Sequence, residues 1–261
     1  MPVPVVTIFA PYRDERGNSI RIPGFRTAGP VRAESFRVNF RGSNNRLVVE
    51  LPVRFGKVNI DFDCDNGRVR IGASRDVPAL SVAIRVGQDS KVRVGRNVSC
   101  TDTIAMSATE GTTIAIGDDV MFASENQLRA DDGHPIFDVR TGERVNVSKS
   151  IRIADHVWLG RYATVLGGAR IGSGSVVGYG SIVTRRIPNN CIAAGVPARV
   201  IRRDVAWERP HLSLVEPFYK PNASTITKSP YWALTKVRPT PTRASRLRRR
   251  VARLRRAVRL R

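Results

Sequence analysis

The chain has 261 residues, of which 41% are hydrophobic and only 7% aromatic, and its formal net charge is +22. That length allows one or two domains with a core built mainly from small aliphatic side chains, and the charge favours anionic ligands such as phosphates. Cys64, Cys100 and Cys191 are far apart and form no C-x-x-C pair, which excludes a disulfide framework or cysteine zinc site and fits a reducing cytoplasm.

Residues 1–42 form an N-terminal segment. The opening "MPVPVVTIFAP" has prolines at positions 2 and 4 and no basic stretch, so it does not read as a secretory signal. No apolar run approaches the ~18 residues of a membrane span.

From "SNNRLVVELP" (43–52) onward a short unit recurs. "VRIG" (69–72), "IRVG" (84–87), "VRVG" (92–95) and "IAIG" (114–117) share one form, and "IGDDVM" and "FASENQ" (116–127) are consecutive hexads. From Ile153 the period of six is regular: IADHVW, LGRYAT, VLGGAR, IGSGSV, VGYGSI, VTRRIP. The first residues of these hexads, Ile153, Leu159, Val165, Ile171, Val177 and Val183, are all aliphatic. A period of six fits neither a helix stripe nor hairpin alternation. It predicts an all-β parallel β-helix over 43–203, with the aliphatics inward and small residues at the corners.

Between 128 and 150 no hexad fits. Long loops in compact repeats are often functional, and this one presents His134 within "GHP". Asp131, Asp132 and Asp138 lie nearby; they read either as turn-forming loop acids or as an acid that orients an imidazole. His156 reads as a corner residue with local hydrogen bonds. No two of the three histidines are closer than 22 residues, so a close H-x4-H metal pair is missing and no metal is expected. Trp158 occupies the last position of its hexad, which points outward. It faces either a cleft or a neighbouring loop or subunit.

After Arg203 the repeat stops. Residues 204–242 read as a proline-containing extended arm with Trp207 and Trp232. Residues 243–261 hold ten arginines and no acid, and Leu247, Val251, Leu254 and Val258 recur at helical spacing. This basic amphipathic helix suits an anionic membrane surface; a solvated tail is the simpler alternative, and nucleic acid is not expected because no interleaved aromatics or known module accompany it.

The hexads, together with "GHP" (133–135), "HVWLG" (156–160), "VVGYGSIVTRRIPNN" (176–190) and "AAGVPARVIRR" (193–203), resemble the hexapeptide-repeat acyltransferases, above all sugar and polysaccharide O-acetyltransferases of the galactoside and polysialic acid types. The 24 residues from His134 to Trp158 match the galactoside-type spacing. The resemblance implies a left-handed parallel β-helix and a cytoplasmic homotrimer, peripheral at the inner membrane face if the tail binds it. It implies an O-acyltransferase moving an acetyl or other acyl group from acyl-CoA to a sugar or glycan hydroxyl, with acyl-CoA as co-substrate and no tightly bound cofactor. His134 would be the general base, with Asp132 or Asp138 as its weakly indicated orienting acid. The Arg161 amide would hold the oxyanion. Trp158, Gly178, Tyr179, Arg185 and Arg202 would meet the acyl donor. The family more often has Asn where this chain has His156. The competing reading is a non-catalytic β-helix that binds or scaffolds.

Overall fold

A computed structural model describes residues 5–7, 9–25 and 33–235. The expected basic helix at 243–261 lies outside the described residues, as does the end of the arm. The architecture is a parallel β-helix of three sheets. The first sheet stacks Ser35–Phe40, Phe55–Phe62, Leu80–Val86, Ile104–Ala108, Gln127–Arg129, Thr164–Leu166 and Ile182–Val183. The second includes Lys91–Val94, Thr113–Ile116, Ile151–Ile153 and Arg170–Ile171. The third begins at Ser99–Cys100 and runs through Met121–Phe122, Trp158–Leu159 and Val176–Val177 to Cys191–Gly195. It ends in an antiparallel hairpin with Ala198–Arg203.

Parallel pairing reaches further toward the N-terminus than residue 43, because Ser19–Arg21 already lies parallel to Arg46–Val49. Antiparallel pairs cap this end: Val5–Val6 lies on Ser35–Phe40, and Tyr12–Arg13 on Ser19–Arg21.

The period of six holds where it is regular in the sequence. Ile153 stands beside Ile171 and Val165 beside Val183, steps of 18. Upstream the step is longer, 22 where Val92 stands beside Ile114 and Met106 beside Leu128, and 24 from Phe62 to Val86. The extra residues lie between the first and second sheets, where the strands are longer. They dilute the hexad in that part of the chain. One inward column at the end of the first sheet runs Phe40, Phe62, Val86 and Ala108. The rings of Phe40 and Phe62 stack 5.1 Å apart. The wide coils thus take the aromatics, and the column tapers toward the narrow ones. The final step shortens to 16, from Ile171 to Ile187.

Every inward aliphatic of the six hexads is buried. Each such side chain contributes about 1.5–3 kcal/mol relative to exposure. Gly72, Gly95 and Gly117 stack at one corner, where a Cβ on Gly95 would stand 2.3 Å from the Gly117 carbonyl oxygen. Beside them runs a column of left-handed corners, Asn97, Asp119, His156, Gly174 and Asn190, with φ between 49° and 69°. These are the residue types that tolerate that region.

Candidate functional site

The excursion leaves the coil between the first and second sheets, after Gln127–Arg129 and before Ile151–Ile153. Its root is Asp131, 5% exposed. That carboxylate accepts from Ser107 Oγ at 2.7 Å and from the Gly133 amide at 3.1 Å. Beyond the root the chain forms a small hairpin in which Phe137 and Arg144 pair. Asn146 staples it: its Nδ2 donates to the His134 carbonyl at 2.8 Å and to Asp132 Oδ2 at 3.0 Å, while its Oδ1 accepts from the Ile136 amide at 2.7 Å. Arg144 and Ser148 both donate to Glu110 of the adjoining coil. These bonds hold the Glu110 carboxyl at about 2, the Arg144 hydrogen bond being the largest cause.

His134 stands exposed on this pinned loop, and its imidazole has no hydrogen-bond partner among the described residues. Of the two acids singled out, Asp132 shares Asn146 with the His134 carbonyl. Asp138 sits at the hairpin tip, where its Oδ1 accepts from the Arg140 and Thr141 amides. Those backbone bonds lower its pKa. Asp131 and Asn146 carried no motif in the sequence; only folding reveals them as root and staple. The root also borders a shallow recess of about 160 Å³ on the outer face of the first sheet, lined by Asn59, Asp61, Arg85, Ser107 and Arg129.

Arg161 lies at a different corner, between the third and first sheets. Its neighbours are used by the coil: the Gly160 amide donates to Val177 at 2.8 Å and the Tyr162 amide to Ser124 at 3.0 Å. Among the described residues the Arg161 amide meets no acceptor. One coil on, Tyr179 repeats the position. Gly178 and Gly180 donate to Ala193 and Arg161, whereas the Tyr179 amide meets no acceptor among the described residues. Gly178 therefore spends its amide on the coil, and Tyr179 keeps its own. The rings of Tyr162 and Tyr179 meet edge to face at 5.5 Å, and the Arg161 guanidinium covers Tyr162.

Trp158 projects from the outer face of the third sheet, 38% exposed, in a column with Met121, Val176 and Ile192. Its indole lies 6.0 Å from that of Trp207 in the arm. Arg185 is exposed at the corner between the first and second sheets, and Arg202 is exposed on the terminal hairpin, opposite Ile192. The fold thus gathers Trp158, Arg161 and Tyr179 around the third sheet, but leaves His134 one full sheet away. No hydrogen bond, ion pair or ring contact joins the excursion to residues 158–162 among the described residues.

A family model described as bacterial transferase hexapeptide (six repeats) matches residues 150–185. The crystal structure of a polySia-specific acetyltransferase superposes with a TM-score of 0.66 at 34% identity, covering 77% of this chain and 90% of that one. The chain belongs to the hexapeptide-repeat acyltransferase family. Its coil is accordingly the left-handed parallel β-helix, a hand that runs against the usual crossover rule. Two curated relatives in this family are a polysialic acid O-acetyltransferase of Escherichia coli O1:K1 / APEC, 40% identical, and a galactoside O-acetyltransferase of Escherichia coli strain K12, 38% identical. The matches cover 46% and 43% of this chain and span only 39% and 54% of those relatives.

The arm supplies a cluster that the sequence did not announce. It lies along the left-handed corner column. Asn190 Nδ2 donates to the carbonyls of Val205 and Tyr231 at 3.0 and 2.9 Å. Arg209 reaches Asp119, Ser99 Oγ at 2.9 Å and the Asn97 carbonyl at 3.0 Å. Between them His156, 2% exposed, is sandwiched by Trp207 at 4.1 Å and Tyr231 at 4.4 Å. The corner position expected for His156 is what the structure has, but the local hydrogen bonds expected there are not: its ring meets partners 37 and 51 residues away. A signal was present: the chain has His where the family pattern more often has Asn.

Proposed function

We propose that this protein is an O-acyltransferase, in the first instance an O-acetyltransferase, that moves an acyl group from acyl-CoA to a sugar hydroxyl of a glycan or glycolipid. The observation that carries the reading is the pinned excursion, which spends its carboxylates and amides on holding the loop and leaves the His134 imidazole unengaged. The relatives' names supply the substrate class. In the step, a neutral imidazole takes the proton of the acceptor hydroxyl as the oxygen attacks the thioester carbonyl. The tetrahedral oxyanion takes the open Arg161 amide as donor. Collapse expels the coenzyme A thiolate, which takes the proton back from His134. The acyl group ends as a sugar ester with no covalent enzyme intermediate.

His134 and Arg161 lie at different corners, so one chain supplies half of such a site. Two copies in a trimer, one giving the excursion and the next giving Trp158, Arg161 and Tyr179, complete it. Arg185 and Arg202 are the candidates for the coenzyme A phosphates, since guanidinium groups bind phosphate with paired donors. The recess of Asn59, Asp61, Arg85 and Arg129 suits acceptor hydroxyls with an acidic substituent. The reaction belongs in the cytoplasm, at the inner membrane face if 243–261 binds anionic lipid. The test is acyl transfer from acetyl-CoA across a panel of sugar and glycan acceptors, read by the mass gain of one acetyl group. Transfer that depends on His134 supports the reading. Coenzyme A release that is absent with every acceptor, or unchanged in His134→Ala, removes it.

A further inference from the structure

The corner occupied by His156 carries a device that the transfer reaction does not require. The imidazole has acceptors at both ends: Asp119 Oδ2 lies 2.6 Å from Nδ1, and the Trp207 carbonyl lies 2.9 Å from Nε2. A carboxylate and a peptide carbonyl can only accept, so both contacts are hydrogen bonds only when each ring nitrogen carries a proton. The charge is well housed. The ring is sandwiched by Trp207 and Tyr231 with interplanar angles of 12° and 1°, a setting that favours a cation. The Trp207 indole N–H returns the bond, donating to the His156 carbonyl at 3.0 Å. Asp119 also accepts from Arg209, which comes from the arm. Burial alone would push the Asp119 carboxyl up, but the bonds and charges of His156 and Arg209 outweigh it and hold it below the usual range. Burial, with the charges of Asp155, Asp119 and Asp118, pushes the Tyr231 phenol up, so Tyr231 stays neutral and leaves the clamp's charge to His156, Asp119 and Arg209.

The clamp fixes Trp207 beside Trp158, 6.0 Å between ring centroids. The outer face of the third sheet then lies between the arm on one side and the Arg161–Tyr179 corner on the other. We infer that His156 is a positioning residue: as a doubly protonated ring it latches the arm onto the coil, and the latched Trp207 is the second aromatic wall of the groove that takes the coenzyme A arm. The second half of this inference rests on the proposed acyl-CoA reading; the latch itself does not.

The test uses the full chain and three variants, His156→Asn, Trp207→Ala and Tyr231→Ala. Asn tolerates the left-handed corner but replaces the stacked ring by one short amide, which cannot place donors at both Asp119 and the Trp207 carbonyl, and the other two changes lie in the arm. Arm docking is read without ligand, by tryptophan fluorescence and by the rate of proteolysis after residue 203, and the ring protons of His156 are read by NMR. Wild type should be protected, with a proton on each ring nitrogen, and His156→Asn should be open. Coenzyme A binding is then measured by calorimetry. Trp207→Ala and His156→Asn should each weaken it about two- to tenfold, the range for losing one aromatic contact. Equal protection of wild type and His156→Asn, or a ring nitrogen without its proton, overturns the latch. An open arm with unchanged coenzyme A affinity overturns the wall. If wild type binds no coenzyme A while the arm still docks through His156, the acyl-CoA reading fails and the latch stands.

Discussion

At the residue scale, the polar groups around the excursion divide into those already spent and those left open. Asp131, Asn146 and Glu110 are fully engaged in holding the excursion. The His134 ring and the Arg161 amide are not. His134→Ala should therefore lower kcat by about 10²–10⁴, the usual contribution of a positioned base. The thermal midpoint should stay close to wild type, because an exposed ring with no partner among the described residues stabilises little. Transfer kinetics and circular dichroism on the same sample check both halves. The two acids offered for orienting His134 also separate here. Asp132 shares the Asn146 amide with the His134 carbonyl, whereas Asp138 closes the hairpin tip. Asp132→Asn should reduce kcat more than Asp138→Asn does; the reverse order would move the orienting role to the tip.

The excursion as an element is held to the neighbouring coil by Glu110. Its carboxyl has an ordinary value of 4.5 and is held at about 2 in the folded protein. A depressed carboxylate contributes its full stabilisation above the unfolded value, and loses it as pH falls through the folded one. Between about 4.5 and about 2 the tie should weaken progressively. Because Glu110 is half exposed, the tie is worth at most about 1 kcal/mol. Amide exchange at residues 131–150 should accelerate in that window while the inward ladder stays protected. Glu110→Gln should show the faster exchange already at neutral pH. Leu128, fully buried where the excursion departs, bears on the element differently. Leu128→Ala should cost about 2–5 kcal/mol, read as a lower denaturant midpoint.

For the whole molecule, the separation of His134 from Arg161 makes assembly the deciding property. If the excursion of one copy serves the groove of the next, mixing His134→Ala with Trp158→Ala protein should restore activity that neither variant shows alone. Light scattering should report a mass about three times that of the chain. Mixed variants that stay inactive, or a monomer that turns over, would place the whole site within one copy. The arginine-rich tail can be tested separately. The full chain should sediment with anionic vesicles and a chain lacking 243–261 should not; equal sedimentation of both would remove the membrane role.

The sequence by itself determined the repeat, its inward ladder from Ile153 onward, the place where the ladder breaks and the histidine at the break. A period of six can be read directly because each coil buries the same slots, so the chemistry of the slot is printed on every turn. The 22-residue coils were less legible, since two longer strands dilute the hexad without abolishing it. Corner residues were legible as a type, and Asn97, Asp119 and Asn190 share the left-handed backbone that His156 adopts. What only the tertiary structure decided was partnership between turns. Asp119 meets His156 because a coil brings residues 37 apart into one column, and Trp207 meets His156 and Arg209 meets Asp119 because the arm turns back along that column. Such contacts leave no periodic trace, since each is made once and by side chains whose separation is set by the path of the chain. The same physics hides the separation of His134 from Trp158: spacing places them 24 residues apart, but only their positions on the coil reveal that a sheet lies between them.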